Sequence, residues 1–151
     1  MFKGELVSIH IASAKEQPMR QLEEVKAIAG TGLEGDRYSI GAGTFSKPGP
    51  GHEITLIEIE AIEALREQQI VLAAGDARRN LVIRGVCLNH LVGRTFQVGE
   101  VRLRGVRFCE PCLHLQRLTS AGILKALVHR GGLRADIVNG GIIRVGDAIT
   151  E

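Results

Sequence analysis

The sequence predicts a mainly β fold: a closed or nearly closed β-barrel of short antiparallel strands with a few inserted short helices. Three observations predict it. Apolar and polar residues alternate over short runs, as on half-buried strands, at Val7, Ile9 and Ile11 and again at Val101 and Leu103. Two stretches carry hairpin chemistry: Gly99-Glu100 between residues 94–98 and 101–104, and Asn139-Gly140-Gly141 between residues 133–138 and 142–145. Helical spacing is confined to short stretches. Counted along the chain, seven to nine short strands and three short helices result.

Length and composition bound the rest. A chain of 151 residues suggests a single domain over 1–151, large enough for a real core. With 44% hydrophobic and 24% charged residues it reads as an ordinary soluble globular protein. No run approaches the roughly 18 apolar residues of a membrane helix, so no membrane partner is expected. The start, Met1-Phe2-Lys3-Gly4-Glu5, lacks the apolar core of a signal peptide. Three cysteines are an odd number and too few for a disulfide scaffold, which points to a reducing cytoplasm.

The net charge of +2 is unevenly spread. Residues 78–107 hold seven arginines against Glu100, a net of +6, while residues 53–76 hold six acids against Arg66, a net of −5. A cluster of arginines fits an anionic ligand such as a phosphate; it equally fits arginines on the solvent face of strands. Aromatics at 3%, with no Trp, argue against a nucleic-acid surface built on stacking.

In chain order, residues 5–11 form a half-buried strand with His10 on its polar, surface face. A second extended segment follows Pro18. Three glycines within Gly30-Thr31-Gly32-Leu33-Glu34-Gly35 mark a loop of unusual backbone angles, which continues through residues 39–51. No Gly-Lys-Ser/Thr follows, so it is not a phosphate-binding loop of the nucleotide type. Asp36-Arg37 reads as a local ion pair or as part of a site. After His52, residues 54–57 are a short strand and a helix pattern starts at Glu58, with Ile59, Ile62 and Leu65 on one face. The acidic run there is a solvated helix face, not a metal site. Leu81-Val82-Ile83 is a buried strand, and Cys87, among apolar neighbours, belongs to the core. Along 101–108 the apolar set shifts from odd to even positions across Gly105, which predicts a β-bulge there. A short helix from about Pro111 and another over residues 123–128 complete the pattern.

The chemistry-bearing stretch is Arg107-Phe108-Cys109-Glu110-Pro111-Cys112-Leu113-His114. A thiolate is a strong nucleophile and a soft-metal ligand. Arg107, five residues before Cys112, and a helix N-terminus at Pro111 would both favour ionisation of Cys112. Zinc ligation by Cys109, Cys112 and His114 lacks a second ligand cluster. A thioredoxin-like redox pair needs a βαβ setting that an antiparallel pattern does not offer. A purely structural pair remains open, but the residues favour a chemically active thiol that handles sulfur or binds a soft metal.

The motifs together resemble the MOSC domain, the module named for the C-terminal part of molybdenum-cofactor sulfurases. They are Gly32-Leu33-Glu34-Gly35-Asp36-Arg37, His52-Glu53-Ile54-Thr55-Leu56-Ile57, Arg79-Asn80-Leu81-Val82-Ile83-Arg84-Gly85, Leu88-Asn89 through Gly93, Phe108-Cys109-Glu110-Pro111-Cys112, and Leu133-Arg134 through Gly140-Gly141 to Gly146-Asp147. The resemblance runs from about Gly4 to Ile149 and matches free-standing single-domain members. The larger sulfurases add a cysteine-desulfurase part, and pyridoxal phosphate binding belongs to those fused relatives only.

The resemblance implies a β-barrel with a shallow cleft and a molybdenum cofactor of the molybdopterin type. Cys112 corresponds to the family's defining cysteine, as molybdenum ligand or sulfur-accepting thiolate. Cys109 belongs to a subset of the family and would resolve a persulfide or pack. Asp36, Arg37, His52, Arg79, Asn80 and Arg134 are the expected cofactor-binding residues. Three readings follow. The domain could be part of a molybdenum-dependent reductase or sulfur-transfer system. It could be a metal-free persulfide carrier, or a non-catalytic module for cofactor delivery. With neither a Rossmann fingerprint nor an iron–sulfur cysteine cluster, electrons or sulfur would come from a separate donor protein.

Overall fold

The computed structural model describes residues 3–14, 17–37, 50–68, 78–109 and 130–151. Cys112, His114, the expected helices beyond Pro111 and most of the 39–51 loop lie outside these residues. The described elements are β1 (Lys3–Ile11), β2 (Arg20–Leu22), β3 (Glu24–Ile28), β4 (Gly32–Leu33), β5 (Ile54–Glu58), α1 (Ile59–Ala64), β6 (Leu81–Arg84), β7 (Thr95–Val98), β8 (Val101–Phe108), β9 (Leu133–Asn139), β10 (Gly141–Arg144) and β11 (Ala148–Thr150).

The expected barrel is present. Its strand order is β11-β7-β8-β9-β5-β6-β1, and β11 pairs with β1 to close a ring of seven. Closure leaves this sheet without an exposed edge along the ring, the usual solution to unpaired strand edges. β2 extends β1 beyond the closure point, and β10-β3-β4 form a second sheet. Leu6, Ile9, Ile54, Leu56, Leu81, Ile83, Phe96, Leu103 and Ile137 fill the inside, joined by Val25, Leu33 and Ile143 of the second sheet. Ile57 and Val82 face the other way and are also buried, beneath Ala61, Ile62 and Leu65 of α1 and the 3-10 turn that continues it.

Several expectations hold. β7 and β8 form the hairpin across Gly99-Glu100, with Val98 opposite Val101. Gly99 has φ +58°, a backbone region that glycine adopts without strain. The bulge falls where the phase shift placed it: Gly105 faces Ala135, and Arg107, not Val106, faces Arg134. Glycine is required there by contact, because a Cβ would stand 2.1 Å from the Leu91 carbonyl oxygen.

Other expectations are corrected. β9 and β10 do not form a hairpin. β9 is already paired on both edges, with β8 and β5, so the chain crosses at Gly140-Gly141 to the second sheet and pairs with β3. The barrel is not wholly antiparallel: β5 and β6 run parallel, with α1 following β5 directly, and a parallel pair needs a crossover connection instead of a tight turn. His10 is buried, not on the surface, since from Ser8 onward β1 is covered on both faces and alternation no longer reports exposure. β1 also has its own irregularity, between Leu6 and Ser8, which puts Leu6, Ile9 and Ile11 on the inner side. Cys87 is exposed, not in the core. Its extended backbone sends Val86 and Leu88 inward on either side and the thiol out.

Gly105→Ala tests the close packing at the bulge. It should destabilise the protein by about 1–3 kcal/mol, as overpacking does, seen as a lower urea midpoint. An unchanged midpoint would show that the Leu91 carbonyl can retreat at no cost.

Candidate functional site

One register line crosses five strands and gathers most of the expected site residues. Arg107 on β8 faces Arg134 on β9, and Arg134 faces Thr55 on β5. Thr55 meets Asn80, at the start of β6, and Asn80 meets His10 on β1. None of these five belongs to the inner core cluster, so the line runs along the outer face of the barrel. It falls into a buried half and a more open half.

In the buried half, Asn80 is fully enclosed. Its Oδ1 accepts from the Thr55 amide at 3.0 Å and the Thr55 hydroxyl at 3.2 Å. The Asn80 amide donates to Thr55 Oγ1 at 3.0 Å. Nδ2 donates to the His10 carbonyl at 3.1 Å, and the His10 amide returns a bond to the Asn80 carbonyl at 2.7 Å. His10 Nε2 and Ser8 Oγ are 2.8 Å apart. The side chain of Asn80 is thus committed to holding β1, β5 and β6 together, as a buried amide must be if it is not to cost stability.

Asp36 and Arg37 form the expected local ion pair, at 3.2 Å, but both are buried and both reach across the fold. Asp36 Oδ1 accepts from the Ala12 amide at 3.1 Å, and the Arg37 amide donates to the Ala12 carbonyl. The Arg37 guanidinium donates to the Met19 sulfur and to the Arg78 carbonyl, both at 3.3 Å. Arg78 has φ +60°, rare for a residue with a side chain. Its Nη1 donates to the Gln17 carbonyl. Arg79 is buried and donates from Nε to the Gly131 carbonyl at 2.8 Å and from Nη2 to the Cys109 carbonyl at 3.1 Å. Cys109 itself is 2% exposed.

The open half is cationic. Arg107 is exposed and donates to the Pro50 carbonyl at 2.9 Å, with its other terminal nitrogen 3.2 Å from His52 Nε2. Arg134 is half-buried and donates to the Gly51 carbonyl at 3.5 Å. The Gly51 amide donates to Asp136 Oδ1 at 2.8 Å. Gly51 has φ +85°, a backbone region that side chains rarely adopt, and a Cβ there would lie 2.6 Å from the movable end of Arg107 at Nη1. Beside this group Glu53 Oε1 accepts from the Gly30 amide at 3.0 Å and the Ile137 amide at 3.1 Å, tying the two sheets together. Burial, with the Asp136 carboxylate close by, holds the Glu53 carboxyl above its usual range. Burial does the same to Glu58, whose Oε2 accepts from the Leu88 amide. Among the described residues no group of three or more His, Cys, Asp or Glu could hold a metal ion. Among them, too, no helix is long and apolar enough to cross a membrane.

This barrel, with its rim of buried arginines and paired polar strand ends, matches one family model, that of the MOSC domain, over residues 47–150. The chain belongs to the MOSC domain family. No curated protein matches it significantly. Among solved structures, it is similar to the YuaD protein from Bacillus subtilis at 15% identity and a TM-score of 0.80, covering 99% of this chain and 97% of that one. It is also similar to YiiM from Geobacillus stearothermophilus, at 15% identity and a TM-score of 0.69, covering 97% of this chain and 74% of that one. YiiM from Escherichia coli gives 16% identity and a TM-score of 0.67, covering 99% and 69%. These likenesses concern the fold.

Within this MOSC domain, the structure brings His52 and Arg134 together and sets Asp36, Arg37, Arg79 and Asn80 into the supporting framework. Asp36 and Arg37 precede the range matched by the family model. Arg107, Arg78, Glu53 and Asp136 stand in the same hydrogen-bonded group, although the sequence does not single them out as cofactor-binding candidates. Arg107 had a signal, its place in the arginine-rich run before the cysteines. Glu53 and Asp136 lie inside motifs that carry the family resemblance, but nothing local marks their contacts, because their partners lie up to 85 positions away.

The raised Glu53 carboxyl predicts a pH effect. On raising the pH, the unfolded chain ionises this group at its ordinary value of 4.5, while the folded protein does so only later. Stability contributed by the protonated group is therefore present at low pH and lost as pH climbs through the raised value. Urea unfolding from about pH 4 to about pH 8 should show Glu53→Gln gaining on the wild type as pH rises. A difference that stays constant with pH would contradict this.

Proposed function

We propose that this MOSC domain binds a molybdopterin-type molybdenum cofactor, with Cys112 as the molybdenum ligand or the sulfur-accepting thiolate. The observation that carries the reading is the pair Arg107 and Arg134 at facing register positions, with His52 against Arg107. Like charges directly opposite across a sheet repel. An anion between the forks would add a charge-assisted partner to both guanidinium groups, beside the carbonyls of Pro50 and Gly51 that they already reach.

The described residues suit the anionic part of such a group. Arg107, Arg134 and His52 would hold its phosphate, while Asp36, Arg37, Arg79 and Asn80 keep the rim in shape. When bound, the cofactor supplies a thiophilic, redox-active metal, and Cys112 is the soft ligand this chain can offer it. A separate electron-donor or sulfur-donor protein would complete the system, which would act as a reductase component or in sulfur transfer. The burial of Cys109 favours this reading over the metal-free persulfide carrier, because a resolving thiol has to reach its partner sulfur.

The test is metal and pterin analysis of protein purified anaerobically from a host that makes the cofactor, beside Cys112→Ala. Stoichiometric molybdenum and pterin in the wild type, with the metal lost in the variant, is the expected result. An intact mass about 32 Da higher and no metal, the mark of a persulfide, would replace this reading with the sulfur carrier. Neither signal would leave only transient delivery.

A further inference from the structure

The outer face of β7 and β8 carries a row of positive charge. On β8 the exposed side chains are Arg102, Arg104 and, past the bulge, Arg107. At a rise of about 3.3 Å per residue the row spans about 17 Å. β7 sets only Thr95 and Gln97 opposite it. β9 sets Asn139 opposite Arg102 and Asp136 opposite Arg104. Asp136 turns Oδ1 to the Gly51 amide at 2.8 Å. Among the described residues no carboxylate pairs with Arg102 or Arg104. The nearby acids are engaged by other arginines. Glu151 pairs with Arg94 at 2.5 Å, and Glu100 approaches Arg144 at 3.8 Å. Like charges on one face of a strand repel, and between Arg102 and Arg104 only solvent screens them. Beside the row a shift of register leaves Val138 without an opposite residue on β8 and 45% exposed. An apolar side chain among polar and charged ones is the layout of a protein interface.

We propose that this face docks an acidic protein, with Arg102 and Arg104 taking carboxylates of the partner and Val138 its apolar contact. A guanidinium fork meets a carboxylate through two parallel hydrogen bonds, which a lysine cannot reproduce. A nucleic-acid strand fits less well. Its phosphates would continue past the row, and at the β7–β8 turn they would meet the carboxylates of Glu100 and Asp147. A second copy of the chain also fits less well. In the acidic run Glu58 and Glu60 are bonded to the Leu88 and Gly85 amides, and Arg66 stands between Glu63 and Glu67. Docked here, the partner stands beside Arg107. That it is the electron or sulfur donor rests on the proposed function; the docking face rests on the unmatched charges alone.

The experiment is fluorescence anisotropy on the full chain, made in a host without molybdenum cofactor. The probes are a labelled peptide of alternating glutamate and serine and a labelled single-stranded oligonucleotide of equal negative charge. Wild type is compared with Arg102→Gln/Arg104→Gln and with Arg102→Lys/Arg104→Lys. The reference is Arg66→Gln/Arg84→Gln, which removes two exposed arginines from the α1 and β6 side of the barrel. Circular dichroism and thermal melting confirm that each variant is folded. The wild type should bind the peptide more tightly than the oligonucleotide, and less tightly as salt is added. The glutamine pair on β8 should weaken peptide binding by about tenfold or more, since each lost contact is charge-assisted. The lysine pair should recover only part of it. The reference pair should leave it within about twofold, because exposed charges beyond a Debye length are screened. An equal loss in the reference pair would overturn the proposal, and so would a wild type that binds no peptide at low salt. Full recovery by lysine would contradict recognition by carboxylate forks. Tighter binding of the oligonucleotide, lost in the same β8 variants, would give the face to nucleic acid instead. Salt-sensitive wild-type dimers in sedimentation, absent from the β8 variants, would give it to a second copy. The assay runs without cofactor, so this face and the proposed cofactor site fail separately.

Discussion

A fully buried amide must find all its hydrogen bonds inside the protein, and Asn80 finds them in β1 and β5. The parallel pair β5 and β6 has no tight turn to set its register. The reciprocal bonds between Asn80 and Thr55 do that work, and the bond to His10 fixes β1 beside them. Three of the arginines are placed from this point: Arg78 and Arg79 precede Asn80 in the chain, and Arg134 faces Thr55 across the sheet. An unsatisfied partner in such a network costs more than a single bond contributes. The framework is therefore rigid where the open cationic group needs support.

The outer face of the barrel is divided by chemistry. Over β5 and β6 it is apolar and covered by α1. Along the register line it is polar, buried at Asn80 and His10, and cationic and open at Arg107. The arginine-rich run splits three ways. Arg84, Arg94, Arg102 and Arg104 are exposed on strands or beside them, where a charge contributes little to stability. Arg78 and Arg79 are buried and spend donors on carbonyls. Arg107 stands where an anion could meet it. Charge counting along the sequence therefore marks the run but does not separate its arginines on solvent, in the framework and at the open end of the line.

What the sequence made legible was local or family-wide. The β7–β8 hairpin, the bulge at Gly105, the β5-to-α1 transition and the Asp36–Arg37 pair all rest on residues within a few positions of one another. The order of the motifs carried the family. What stayed hidden depended on distant neighbours. Asn139-Gly140-Gly141 looks like a hairpin turn, yet both edges of β9 are taken by strands from elsewhere in the chain. His10 reads as polar and exposed until a covered outer face is known. Cys87 reads as core until the inward turns of Val86 and Leu88 expose it. The convergence of Arg107, His52 and Arg134 on Gly51 joins residues up to 83 positions apart. It follows from barrel register, which periodicity alone does not specify.

The most direct measurement is the ionic-strength dependence of molybdopterin cofactor binding to the wild type, Arg107→Ala and Arg134→Ala. If the two facing arginines hold the anion, affinity should fall with added salt in the wild type. Each substitution should weaken binding and flatten that dependence, because a screened attraction has been removed. Wild-type affinity and an unaltered salt response in both variants would contradict it, and would leave this cationic line as part of the scaffold alone.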